Sequence, residues 1–264
     1  MFPDFVDAMQ PVLLLNALPA ALALAFASMG MGAESAEELI QKGDAFYDKL
    51  QAAEALKFYL PAEKLDPNNV RLLVRIAREY RHLMSDATQA TEKLQLGNIA
   101  VAHAQRAVAH APDDPETQLA LAISYGKILP LVGTKQQIAN SHLIKIAVDK
   151  VISLDPTNDL AWHVLGRWYQ GLADVGTVKR AFAQIAYGKL PPAKHEDAER
   201  CFEKAITLNT NRLMHYIELG RTYEKMGRDA DAREFINKGL AMPETEKDDP
   251  ESKDLGRQTL KKLR

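Results

Sequence analysis

The 264-residue chain has one cysteine, Cys201, which excludes a disulfide within the chain and leaves its redox compartment open. Beside Phe202 on an apolar helical stretch, Cys201 reads as a small core residue rather than a reactive thiol. Net charge is scarce as well. A formal charge of -2 gives no general attraction to nucleic acid or to an acidic membrane, so any electrostatic preference has to come from local placement. Catalytic signatures are missing: there is no H-E-x-x-H, no C-x2-C, no G-x-S-x-G and no phosphate-binding glycine loop. His103 and His110 lie seven apart without an acidic or cysteine companion at ligand spacing, so no metal site is expected there. No stretch alternates apolar and polar residues between turn signals, so no sheet is expected. These absences point away from an enzyme, and no cofactor is implied.

What is present is 47% apolar and 26% charged residues, the balance of a globular chain able to bury a substantial core. From Val12 to Ala27 the sequence is almost wholly apolar, broken only by Asn16 and Pro19, and Ala25, Phe26, Ala27 offers a small-x-small cleavage site. Residues 1–33 are therefore read as a secretory signal peptide. An uncleaved anchor stays open, since Asp4 and Asp7 stand where basic residues belong and the run is short for a bilayer span. Export is the expectation, with membrane anchoring or a cytoplasmic location as alternatives.

Residues 34–264 read as one array of helix pairs. Trp162, Leu165, Gly166 and Tyr169 have the spacing W-x2-L-G-x2-Y, and Ala198, Phe202 and Ala205 follow as A-x3-F-x2-A, the two halves of a tetratricopeptide (TPR) unit. Residues three, four and seven apart share one helix face, a glycine admits a neighbouring helix, and small alanines receive its bulky side chains. Gly43, Phe46, Ala55, Tyr59 and Ala62 mark a first unit, and the run Leu65, Asp66, Pro67, Asn68, Asn69 stops its second helix and offers an Asp or Asn to cap the next. Leu73, Ile76, Ala77 and Tyr80 open a second, Leu121, Ala122 and Tyr125 a third, and Tyr216, Leu219, Gly220 and Tyr223 a fifth. The closing positions Pro67, Pro112, Pro156, Thr210 and Pro243 are 45, 44, 54 and 33 apart, against a repeat of about 34 residues. Units two and three are thus stretched by lengthened helices, with Thr134 expected to cap the second helix of unit three. Unit four carries an inserted amphipathic helix within residues 170–197, and a charged breaker from Glu244 to Asp249 precedes a final capping helix. The expected fold is an all-α TPR-like superhelix.

In such a stack, positions 5, 9, 12 and 13 of each first helix are expected to face the groove. That row holds Arg78, Arg81 and His82 in unit two, Lys127 in unit three, His163 and Arg167 in unit four, and Arg221 and Lys225 in unit five. A basic groove of this kind suits an acidic peptide or protein partner. The alternative is that these side chains keep a helix face solvated or pair with acids of adjacent units. The inserted helix bears Val178, Phe182 and Ile185 on an apolar stripe flanked by Lys179 and Arg180. Such a stripe most simply packs within the protein; as a lid over the groove it would make a pocket for an anionic lipid or amphiphile, and contact with a membrane surface is a further reading.

Leu154, Asp155, Pro156 followed by Trp162, His163, Leu165, Gly166, Arg167 and Trp168 resemble the regulator of microtubule dynamics family. The likeness extends through the inserted helix, Leu190, Pro191, Pro192, then Glu196, Asp197, Ala198, and Leu219, Gly220, Tyr223. The resemblance implies a non-enzymatic TPR-like protein acting through protein contacts at microtubules or organelle membranes, with at least one lipid-binding branch. The short signal-like start departs from the animal members and makes a bacterial envelope protein the nearer expectation.

Overall fold

Four helices begin where a short polar side chain accepts from the exposed amides of the first turn. Asn69 accepts from the Leu72 amide at 3.0 Å, Asp114 from Glu116 at 2.8 Å, and Asn158 from Ala161 at 3.0 Å. The computed structural model describes residues 34–175 and 192–263. Within them run eleven α-helices: α1 (Ala36–Tyr47), α2 (Ala52–Leu65), α3 (Val70–Asp86), α4 (Ala90–His110), α5 (Pro115–Ile128), α6 (Thr134–Leu154), α7 (Asp159–Ala173), α8 (His195–Leu208), α9 (Leu213–Lys225), α10 (Asp229–Ala241) and α11 (Asp249–Leu260). No strand occurs among the described residues.

Helices pair in chain order, and the core continues from pair to pair because no pair can bury its apolar face alone. The close approach within a pair is set by glycine opposite a ring. A Cβ on Gly43 would lie 2.4 Å from the Tyr59 ring, and one on Gly166 would lie 2.8 Å from Phe202. Both rings are fully buried. Cys201 is buried beside Phe202, and that burial pushes its thiol up to about 12, so it remains a protonated core group.

The extra residues of units two and three do lengthen helices, since α4 and α6 each reach 21 residues. They build additional core: Met84, Val101, Tyr125, Ile128 and Ile144 cluster there, with Trp168 packed against them. Thr134 is not the cap of α6 but its first residue. Gly133 occupies the cap position without a side-chain bond, and Pro130 sits in a 3-10 turn, Leu129–Leu131, just before it. The last helix α11 lies on α9 and α10, with Gly256 against Ile217 and Ile236. The proposed signal or anchor segment and the lid residues Val178, Phe182 and Ile185 lie outside the described residues.

Candidate binding groove

Helices α1, α3, α5, α7 and α9 are the first helices of the five units. In units one, two and four the row expected to face a groove meets residues of the next first helix. Asp44 of α1 pairs with Arg75 of α3 at 2.7 Å and with Arg71 at 3.3 Å. Arg167 of α7 pairs with Glu218 of α9, so the same register step recurs with the charges exchanged. One position further along, Arg81 donates to Ser124 Oγ of α5 at 2.9 Å, and Gln170 donates to Thr222 Oγ1 of α9 at 3.2 Å. The row is therefore also a seam between units.

Each expected groove residue already meets a partner within the protein. The Arg78 guanidinium stacks 4.1 Å from the centre of the Tyr47 ring and bonds the Tyr47 hydroxyl. Arg81 is 8% exposed; burial, and then Arg78 beside it, lower its pKa to about 10, which still leaves it charged at neutral pH. His82 is buried, with Nδ1 3.6 Å from the Glu79 carboxylate. That carboxylate is itself fully buried and makes no hydrogen bond within the described residues. Arg167 and Arg221 converge on Glu218, whose burial would raise its pKa; the two guanidiniums outweigh burial and hold the carboxyl below its ordinary value. Lys225 stays half exposed beside Glu224, at 3.8 Å. His163 does not line an open groove: it is buried between α7 and α9, edge-on to Phe202 and bonded through Nδ1 to Nδ1 of His215 at 3.0 Å. His215 Nε2 in turn lies 2.9 Å from Asp159, which Arg212 also holds at 3.0 Å.

Lys127 leads to a feature the sequence left unread. Its ammonium lies 2.9 Å from Asp248 and 3.7 Å from Glu251, residues at the start of the C-terminal cap. Ser85 of α3 donates to the same Asp248 carboxylate at 2.8 Å, and Lys247 reaches Asp86 at 2.7 Å. The acidic breaker thus returns to the α3 and α5 ends of the row. Burial would raise the Asp248 carboxyl, but Lys127 and the Ser85 hydroxyl bring it below the ordinary value, so it is charged at neutral pH. Glu218, His215 and Asp248 were all invisible to a reading confined to positions 5, 9, 12 and 13. The one available signal was the acid at Glu218, three residues before Arg221 and so one helical turn from it.

The comparisons agree with this architecture. The fold is similar to that of TTC0263, a thermophilic TPR protein of Thermus thermophilus, with a TM-score of 0.62 and 17% identity over 87% of this chain and 99% of that one. Among sequences, regulator of microtubule dynamics protein 3 of Xenopus laevis is 25% identical over 218 residues, 81% of this chain and 47% of its own length. Regulator of microtubule dynamics protein 1 of Mus musculus is 28% identical over 216 residues, 80% of this chain and 70% of its own length. The chain spans about half the length of the first relatives it matches. With the family model for regulator of microtubule dynamics protein 1-3 matching residues 39–264, this TPR-like chain belongs to the regulator of microtubule dynamics family.

Proposed function

We propose that the chain is a non-enzymatic binding module that takes an acidic segment of a protein partner on its first-helix row. The observation that carries this reading is a carboxylate already seated there: Asp248, held by Ser85 and Lys127 at the ends of α3 and α5. Arg78 and Arg81 add charge nearby, and their hydrogen bonds go to Tyr47, His82, Ser124 and a backbone carbonyl rather than to a carboxylate. Guanidinium and ammonium groups so placed favour carboxylates over neutral ligands. The Asp159, His215, His163 chain supports binding over catalysis, because it ends against the Phe202 ring with His163 sealed from solvent. The microtubule role in the relatives' name is not carried over.

Fluorescence anisotropy with acidic and charge-neutralised helical peptides tests the reading. Acidic peptides should bind, more weakly as salt rises, and Lys127→Glu or Arg78→Glu should weaken them by about tenfold or more. Equal binding of neutral peptides, or a stoichiometric phospholipid co-purifying with the folded chain, would overturn it. Reversing Arg167 and Arg221 is a poor probe, since it strands the buried Glu218 carboxylate.

A further inference from the structure

The stretch from Glu244 to Pro250 contains no apolar side chain other than the proline ring, yet it is held in a defined place. Thr245 and Glu246 amides donate to Asp249 at 2.7 and 2.8 Å, which folds the stretch into the start of α11. From there Asp248 and Glu251, one helical turn apart, both face Lys127. Lys247 and Glu246 add outer pairs to Asp86 and Arg212.

Resting on the binding role just proposed, we infer that this stretch is a tethered stand-in for the partner. The α3–α5 end of the row recognises two carboxylates one helical turn apart at the start of an acidic helix, and a partner binds by displacing Asp248 and Glu251. Hydrogen bonds and ion pairs hold the stretch, which brings no apolar side chain but the proline ring to the contact. Glu251 is 63% exposed and 3.7 Å from Lys127, and an ion pair so exposed to solvent holds weakly. The remainder of α11 stays anchored through Gly256 on Ile217 and Ile236, so only the breaker and the first turn have to move. A tether keeps such a competitor at roughly millimolar effective concentration, enough to mask weak ligands and to yield to strong ones.

The test uses the whole chain and, as probe, a fluorescent peptide of residues 242–255, with a control peptide carrying Asn and Gln at the positions of Asp248 and Glu251. The Asp248→Asn, Glu251→Gln protein, checked for native helicity by circular dichroism, should bind the acidic probe about tenfold tighter than the unaltered chain. Adding Lys127→Glu should abolish the gain, and the control peptide should bind neither protein. Hydrogen exchange on the unaltered chain needs no variant: saturating probe should speed exchange of the Thr245 and Glu246 amides. Equal binding to both proteins with unchanged exchange would overturn displacement and leave the groove reading intact. No binding to either protein would overturn both.

Discussion

His163 and His215 meet nitrogen to nitrogen, Nδ1 to Nδ1 at 3.0 Å, so one proton has to lie between them. Because His215 Nε2 points at Asp159, that nitrogen carries the proton toward the carboxylate, and His163 donates to the bare Nδ1 of its neighbour. Both rings are neutral in this arrangement. Burial holds His163 well below its ordinary pKa, with His215, Arg167 and Arg212 adding to the effect; burial also lowers His215, against the opposing pull of Asp159.

A pH dependence follows. Below the ordinary histidine value the unfolded chain binds protons that the folded pair refuses, so stability is full above about pH 6.5 and declines as pH falls below it. Thermal melts should show the melting temperature falling between neutral pH and pH 5. A His163→Gln variant, which keeps a donor for His215, should show a shallower decline. An identical slope in the variant would remove the histidine pair from the account.

Glu218 should behave as a shared anchor. Removing Arg167 or Arg221 singly leaves the carboxylate one guanidinium, and each change should cost about 1 kcal/mol or less because both side chains are partly exposed. Removing both leaves a buried charge uncompensated, at about 3 kcal/mol or more. Urea unfolding of the two Ala variants and their double would read a loss larger than the sum of the singles. Strict additivity would contradict a shared anchor.

Gly166→Ala tests the packing that the repeat motif encodes. A Cβ 2.8 Å from the buried Phe202 ring forces the pair of helices apart, and such overpacking costs about 1–3 kcal/mol. Combining it with Phe202→Leu should recover part of the loss in a thermal melt, since the smaller side chain makes room. No recovery would locate the strain elsewhere.

The same residues explain why the fold was readable. Gly166 with Phe202, and Gly43 with Tyr59, are local large-to-small contacts whose spacing repeats in the chain, so periodicity alone placed the helices and the stretched units. The site was less legible, because its partners come from outside the period. Glu218 answers Arg167 from the next unit, and Asp248 answers Ser85 from 163 residues away. The repeat spacing puts His163 on the open row, but each residue turns a helix by about 100°, and its position faces α9 rather than solvent. Thr134 was displaced by one residue from the cap it was expected to fill, with Gly133 taking that place.

Arg81 separates what the row does for stability from what it does for binding. Its guanidinium is buried against α5 with hydrogen bonds to Ser124 Oγ and the Ala120 carbonyl. Ser124 keeps its own donor bond to Ala120 at 2.6 Å whether or not Arg81 is present. An Arg81→Met variant therefore strands no donor on α5 and removes a desolvated charge, against the loss of its attraction to Asp248 and Glu79, so stability should change by no more than about 1 kcal/mol. The same variant should weaken the acidic probe. A more stable protein that binds less tightly would mean that this arginine serves the ligand at the expense of the fold. A destabilised protein that binds as before would make it a structural strut and take it out of the site.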